Sequence, residues 1–315
     1  MDFKAKLRLL SKPAPGPSRN PSAPEIVSDD HLSNLIKPTL SQHGPLYLKR
    51  EIVVDPRLSI PPCPDAIATL ALRREFKAID PSRLLYLDTE TTGLAGGTGT
   101  LAFLIGLAHV DGENIVVEQT LLPRPGEERS MLEWLRVNLT RAQAIVTFNG
   151  KSFDWPLLKS RFVMNRLPAP PELVHVDLLH LARRVYRWHL KEHRLSSLEV
   201  GVLKIERSHD IDGAMIPQAW FDYLRTGRLA ELARAIDHNR QDVVSMVRLL
   251  QVLTQSLRHE IDVAPAISLG LALVAERFGD DALAIDHVRK HTAMPDGALM
   301  SRALELEAMI LRRSG

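Results

Sequence analysis

Between Leu84 and Leu122 the apolar positions come as three short runs closed by turn residues, a pattern that predicts strands rather than helices. Leu84-Leu85-Tyr86-Leu87 ends abruptly in Asp88-Thr89-Glu90-Thr91-Thr92-Gly93. Thr100 to Val110 is nearly all apolar and is separated by Asp111-Gly112 from a β-type run over Ile115 to Leu122. The Asp-Gly between two such runs predicts a hairpin, so these three strands should be antiparallel neighbours. The period then changes. Met131, Leu132, Leu135 and Leu139 recur at helical spacing within 126–139, giving a helix with one buried face. Ala144 to Phe148 reads as a fourth strand ending at Asn149-Gly150, and a helix opens near Phe153-Asp154-Trp155-Pro156, where proline suits a first turn and aspartate a cap. Leu173 to Val176 is a fifth strand, with Asp177 starting a helix to about His189. Three meandering strands followed by strands alternating with helices predict an α/β fold with a mixed five-stranded sheet flanked by helices.

Beyond this point the pattern is helical. Ser196-Ser197-Leu198-Glu199 has the form of a capping box opening a short helix to about Leu203. A loop carrying Asp210, Asp212, Gly213 and Pro217 follows, then a helix around Trp220 to Leu224. Leu229 to Ile236 and Asn239 to Leu257 read as two helices, and 267–313 is helical throughout. Ahead of the first strand, seven prolines between Pro13 and Pro45 predict linker or draped coil over 1–45. Residues 46–82, with strand-like Ile52-Val53-Val54 and a helix-like stretch over Ala66 to Lys77, read as an extension packed on the main domain. That division gives a main domain over 83–257 and a helical segment over 264–315.

Composition changes this picture little. A chain of 315 residues with 45% hydrophobic and 25% charged residues is ordinary for a globular protein, and a net charge of +2 provides no global basic field. One cysteine, Cys63, cannot close an internal disulfide or build a thiolate cage. No apolar run reaches the roughly 18 residues of a membrane span, and the start lacks the apolar core of a signal peptide. The expectation is a cytoplasmic chain with no membrane contact.

The candidate chemistry begins at Asp88 and Glu90. Side chains two apart on a strand point to one face, so two anions would stand side by side where the strand leaves the core. Such a pair raises its own pKa values unless a cation lies between them, and hard divalent ions such as Mg²⁺ or Mn²⁺ prefer oxygen ligands. Asp154 falls at the carboxyl end of the fourth strand, the edge at which sites assemble in α/β sheets. His238 and Asp242 are four apart and share a helix face. The glycine-rich Gly93 to Gly99 loop invites a phosphate-binding reading, but it lacks the Gly-Lys-Ser/Thr ending and no helix follows it.

With these pieces in order, the chain resembles a known family. Leu87 to Gly93 looks like the first motif of the four-acidic-residue (DEDD) 3′–5′ exonucleases, Thr147 to Asp154 like the second and His238 to Asp242 like the third. Within that ribonuclease H-like fold the resemblance is to the YprB-like (mitomycin repair factor B-like) bacterial exonucleases, and it covers about 84–256. It implies that Asp88, Glu90, Asp154 and Asp242 hold two divalent cations, Mg²⁺ or Mn²⁺, with His238 as general base. The substrate would be a nucleic acid, DNA in preference to RNA, in DNA repair and beside a helicase partner. One departure concerns the base. Family members using His place it five residues before the last aspartate, whereas a four-residue gap accompanies Tyr; this chain combines the shorter gap with His238. The alternatives are a 3′-end exoribonuclease, and a nucleic-acid or partner-binding module with a retired site, against which all four carboxylates argue.

Further candidates surround this set. Arg183 to Arg194 carries five Lys/Arg against one Glu, with Tyr186 and Trp188 interleaved, so Arg183, Arg184, Arg187 and Lys191 are candidate phosphate contacts unless the run is simply a solvated helix face. Thr91, Asn149 and Phe153 adjoin the acids and are candidate contacts to a terminal nucleotide. His189 and His193 have helical metal spacing but no third ligand beside them. Near the C-terminus, Arg277 to Ala284 resembles the turn of a tetratricopeptide repeat, Gly279 filling the turn and Ala284 the close helix contact.

Overall fold

The computed structural model describes residues 32–314 apart from 34, 42–43, 59–60, 94–98, 209 and 291–296. The prolines before residue 31 and most of the glycine-rich loop lie outside the described residues.

Seven strands among the described residues form one sheet: β1 (Lys37–Ser41), β2 (Gly44–Val54), β3 (Leu84–Thr91), β4 (Ala102–Asp111), β5 (Asn114–Leu121), β6 (Ala144–Thr147) and β7 (Val174–Asp177). Their spatial order is β1-β2-β5-β4-β3-β6-β7. The β1 to β3 side is antiparallel, and β6 and β7 run parallel to β3. The mixed sheet is the expected one, with two more strands than the sequence pattern counts. Proline hides them: Pro38 and Pro45 sit on the outermost ribbon, where a missing N–H faces outward and does not break a ladder. The segment 46–82 therefore joins the sheet directly, β2 pairing with β5 over Tyr47 to Val54.

Strand β3 is central and buried on both faces, which is why its sequence is continuously apolar. Leu84 and Tyr86 pack in one cluster with α-helical Val243 and Val247, and Leu85 and Leu87 in another with Leu132, Leu135 and Phe162. The β4–β5 hairpin closes through Gly112 at φ +58°, the left-handed conformation that a two-residue turn requires.

The helices are α1 (Pro64–Ala71), α2 (Glu128–Arg141), α3 (Asp154–Met164), α4 (Leu178–Val185), α5 (Leu195–Leu198, continued by a π-helical turn Glu199–Leu203), α6 (Ile216–Thr226), α7 (Ala230–Leu257), α8 (Pro265–Phe278), α9 (Asp281–Lys290) and α10 (Gly297–Ser314). Several differ from their sequence expectation, α4, α1 and α7 among them. Helix α4 stops at Val185, four residues early, because the chain turns inward to bury Tyr186 and to lay Trp188 on the C-terminal helices. Helix α1 ends at Ala71, with Leu72 left-handed beyond it. The two helices expected over 229–257 are one. Asp237-His238-Asn239 has low intrinsic helix propensity, and packing of the flanking Ile236 and Val243 overrides it. The last three helices share a small core of Leu269, Ala272, Ala284, Ala303 and Ile310, with Gly279 at φ +91° in the first turn between them.

Candidate metal centre

The register of the parallel strands creates the site. Leu84 pairs with Ala144 and Tyr86 with Val146, and β6 then ends at Thr147. Strand β3 runs on for several residues with its β6 edge open, and this exposed stretch carries Asp88 and Glu90. The chain leaving β6 turns through Asn149, left-handed at φ +67°, and Gly150, where a Cβ would press on Thr147. Asp177, buried at the end of β7, accepts hydrogen bonds from the Asn149 and Lys151 backbone N–H groups (2.8 and 3.1 Å) while capping α4 through Leu179. This fixed turn starts α3 at Asp154, whose carboxylate receives the Thr89 hydroxyl. The second acid is thereby tied to the strand that carries the first two.

The third piece arrives on α7, which crosses the sheet face bearing Asp88. Asn239, fully buried, donates its amide to Asp88 Oδ2 at 2.7 Å and accepts from Gln119 Nε2 at 2.9 Å. Gly106, paired with Asp88 across the ladder, makes room for this; a Cβ there would collide with the Asn239 amide. One turn on, Asp242 Oδ1 accepts from Arg207, and Asp242 Oδ2 lies 3.6 Å from His238 Nε2. Glu90, His238 and Asp242 each present a ligand atom within 4.8 Å of the others. Asp88 and Asp242 thus each have one oxygen held by a neighbour, and Asp154 is tied to Thr89.

The electrostatics agree with this geometry. Burial, with the charges of Asp242, Glu90 and Asp154, pushes Asp88 well above the usual carboxylate range; Asn239 opposes the rise. Glu90 is pushed up to about 8 by burial and by Asp242 and Asp154, with Arg207 working against them. Asp154 is pushed up to about 6 by burial, held down in part by the Thr89 hydroxyl. Burial also raises Asp242 against the pull of Arg207 and His238. Four half-buried acids that resist ionisation together, offering carboxylate oxygens beside one imidazole, fit hard divalent cations.

His238 Nδ1 lies 2.8 Å from Asp210 Oδ1. A carboxylate accepts only, so Nδ1 donates to it, and this directs Nε2 toward Asp242 and Glu90. A cleft of about 340 Å³ opens alongside, lined among others by Arg207, Asp210, Arg234, His238 and Arg240.

The other expected contacts are placed unevenly. Phe153 is 55% exposed immediately before Asp154, Asn149 forms the turn beside it, and the Thr91 hydroxyl donates to Gly93 at the end of β3. The basic run lies at the far end of α4, about 12 Å along the helix from the sheet edge. There Arg183 and Lys191 are exposed, Arg184 donates to the Leu70 carbonyl, and Arg187 stacks on Trp188 at 4.5 Å. Tyr186 is buried and Trp188 packs with the C-terminal helices, so these rings serve the core and not a base stack. Sequence reasoning missed Thr89, Gly106, Gln119, Asn239, Asp177, Glu199, Arg207 and Asp210 as parts of the site. Thr89 and Asn239 sit inside the motifs; Glu199 was masked by its fit to a capping box, whereas α5 opens at Leu195 and the Glu199 carboxylate turns to Arg207.

A family model for the RNase_H superfamily matches residues 85–254, more than half of the chain. The chain is 36% identical over 188 residues to the uncharacterized protein YprB of Bacillus subtilis (strain 168), an alignment covering 58% of this chain and 45% of that protein, so the match spans less than half of the relative's length. Among solved structures, the family B DNA polymerase of the hyperthermophilic archaeon Pyrobaculum calidifontis aligns with 18% identity and a TM-score of 0.36 over 64% of this chain and 30% of that one. With its mixed sheet, its acids at the open edge of β3 and the match over 85–254, this chain belongs to the RNase H superfamily.

Proposed function

We propose that this chain is a metal-dependent 3′–5′ exonuclease that hydrolyses phosphodiester bonds of DNA. The observation that carries the reading is the gathering of Asp88, Glu90, Asp154 and Asp242, from three distant parts of the chain, around one edge of β3 beside His238. The motif order and the resemblance to YprB-like exonucleases support the 3′ polarity, the DNA substrate and a repair role beside a helicase.

Asp88, Glu90, Asp154 and Asp242 would hold two divalent cations, Mg²⁺ or Mn²⁺, which when bound neutralise charge on the scissile phosphate and ionise a water near neutral pH. The protein's own groups do the rest. His238, its Nδ1 proton committed to Asp210, takes a proton from the attacking water at Nε2. Phe153, exposed beside Asp154, stacks on the terminal base, with Asn149 and Thr91 flanking it. Arg183, Arg184, Arg187 and Lys191 contact the backbone of the strand some nucleotides upstream.

The test is degradation of 5′-labelled DNA and RNA oligonucleotides with Mg²⁺, with Mn²⁺ and with a chelator. The expected result is a metal-dependent ladder of shortening DNA products that disappears with chelator. A ladder on RNA alone makes the chain an exoribonuclease. Inactivity on every substrate and metal overturns the enzyme reading and leaves a binding module.

A further inference from the structure

Arg207 lies outside the three acidic motifs, yet its guanidinium is the most heavily engaged cation at the site. Nε and Nη2 grip Glu199 as a fork at 2.7 Å each, Nη2 also donates to Asp242, and Nη1 donates to Asp210 Oδ2 at 3.2 Å. The remaining Nη1 hydrogen faces the His238 ring, with Nη1 3.2 Å from Nδ1. Four of the five donors therefore end on carboxylates and the fifth is covered. At most one N–H, lying against the His238 ring, is left for a substrate phosphate.

Glu199 is equally committed. It is 1% exposed on the side-chain scale, stands at the start of the π-helical turn and accepts from Ser245 on α7, whose own hydroxyl accepts from Gln241 at 2.9 Å. π-turns are rare and recur at functional sites. Here the turn presents Glu199 to the same helix that carries His238 and Asp242. A fork between two buried charges fixes direction better than any single bond, because guanidinium and carboxylate are both planar.

We propose that Arg207, braced by Glu199, is a positioning residue: it pins one oxygen of Asp242 and locks the Asp210–His238 pair, setting the third motif in register with Asp88, Glu90 and Asp154 before cation or substrate arrives. Asp242 is left with Oδ2 for a cation, as carboxylate ligands are commonly oriented by a hydrogen bond to their second oxygen. The inference rests on the nuclease reading only for its catalytic consequence.

The experiment uses the full chain and two variants. Glu199→Gln/Arg207→Gln removes both charges together, so Glu199 is not left buried without its partner; Arg207→Lys keeps the charge and loses the fork, and carries the same comparison should the double variant not fold. Three quantities are read: Mn²⁺ affinity by calorimetry, the His238 tautomer by ring ¹⁵N NMR without metal, and kcat and KM on single-stranded DNA. Mn²⁺ affinity should weaken by about 10- to 100-fold. The Nδ1-protonated tautomer should give way to a mixture, and kcat should fall by about 10- to 100-fold with KM within about 3-fold. Unchanged affinity and tautomer in folded variants overturn the proposal. So does a rise in KM alone, which would make Arg207 a phosphate grip. An unaltered chain that cleaves nothing, while the variants still lose Mn²⁺ and tautomer, sinks the nuclease reading and upholds this one; absence of Mn²⁺ binding by the unaltered chain sinks both.

Discussion

Asn239 reaches Asp88 across 151 positions of sequence, its amide donating to Oδ2 at 2.7 Å in a pocket that Gly106 leaves open. The Asn239 orientation is not free, because Gln119 donates to its carbonyl oxygen and to the Ile236 carbonyl at 2.9 and 2.8 Å. A buried amide with both ends used fixes the acid it touches. It also couples the middle of α7 to the central strand.

Asn239→Ala should therefore cost stability and function by separate routes. It leaves one Gln119 N–H without its partner in the core, the other still donating to Ile236, a loss of about 1–3 kcal/mol. It also frees Asp88 to rotate, and loss of such an outer partner typically costs 10- to 100-fold in metal affinity or activity, roughly. Urea denaturation and Mn²⁺ calorimetry on the same variant separate the two. A change in neither would mean that Asp88 is held by something else.

Gly106→Ala tests the same contact from the strand side. The added methyl meets the Asn239 amide, so one of them must shift, and overpacking of this kind costs about 1–3 kcal/mol. The expected outcome is a lower melting temperature together with weaker Mn²⁺ binding, although position 106 bears no ligand. Unaltered Mn²⁺ affinity would show that α7 can move without disturbing Asp88.

Much of this arrangement was legible in the sequence, and the reasons for the rest are physical. The acids were visible because period-two placement at the end of an apolar run is a local pattern, and so was the i, i+4 pairing of His238 with Asp242. Strand β1 and most of β2 were not, because Pro38 and Pro45 suit an edge ribbon as well as a coil and only the ladder decides. Glu199 fitted a helix-capping pattern, and its true partner lies eight residues on in a loop with no periodicity. Gly106 looked like one small residue in an apolar strand; its need for space depends on a side chain 133 positions away. The aromatic residues of the basic run suit base stacking by sequence alone, whereas Tyr186 is buried and Trp188 packs against the C-terminal helices.

Between pH 5.5 and 8 the crowded acids should make the metal-free protein lose stability, a fall that His175, held down to about 4 by burial, offsets only in part below its ordinary 6.5. Asp154 is raised from 3.8 to about 6 and Glu90 from 4.5 to about 8, so across this window the native state holds protons that the unfolded chain has released. Where the native state binds more protons, stability declines with pH. Below pH 4 both states are protonated at these acids and the difference vanishes. Scanning calorimetry with chelator at pH 5.5 and pH 8 measures it, and Mg²⁺ or Mn²⁺ should restore more at pH 8. Equal melting temperatures at the two pH values would contradict the crowding of these acids.

Asp88→Asn follows from the same repulsion. It removes a group whose ionisation burial, Glu90, Asp154 and Asp242 all oppose, so metal-free protein at pH 8 should melt a few degrees higher, at roughly 2–4 °C per kcal/mol for a chain of this size. Nuclease activity should disappear with it. A variant both less stable and inactive would instead assign Asp88 a structural role through Asn239.

His238 separates two roles that the geometry permits. Its Nε2 lies with Glu90 and Asp242 in a group close enough to hold one cation, and its Asp210-bound Nδ1 suits a ligand and a base alike. The four-residue gap to Asp242 makes the distinction more than formal, since the exonucleases that the chain resembles place a base histidine one residue further away. If His238 is the base, His238→Ala should lower kcat by about 10²- to 10⁴-fold while Mn²⁺ affinity stays within a few-fold. If it is a ligand, affinity and rate should fall together, and high Mn²⁺ should recover much of the activity. A change of only a few-fold in both would remove His238 from the chemistry and leave the carboxylates to hold the cations alone.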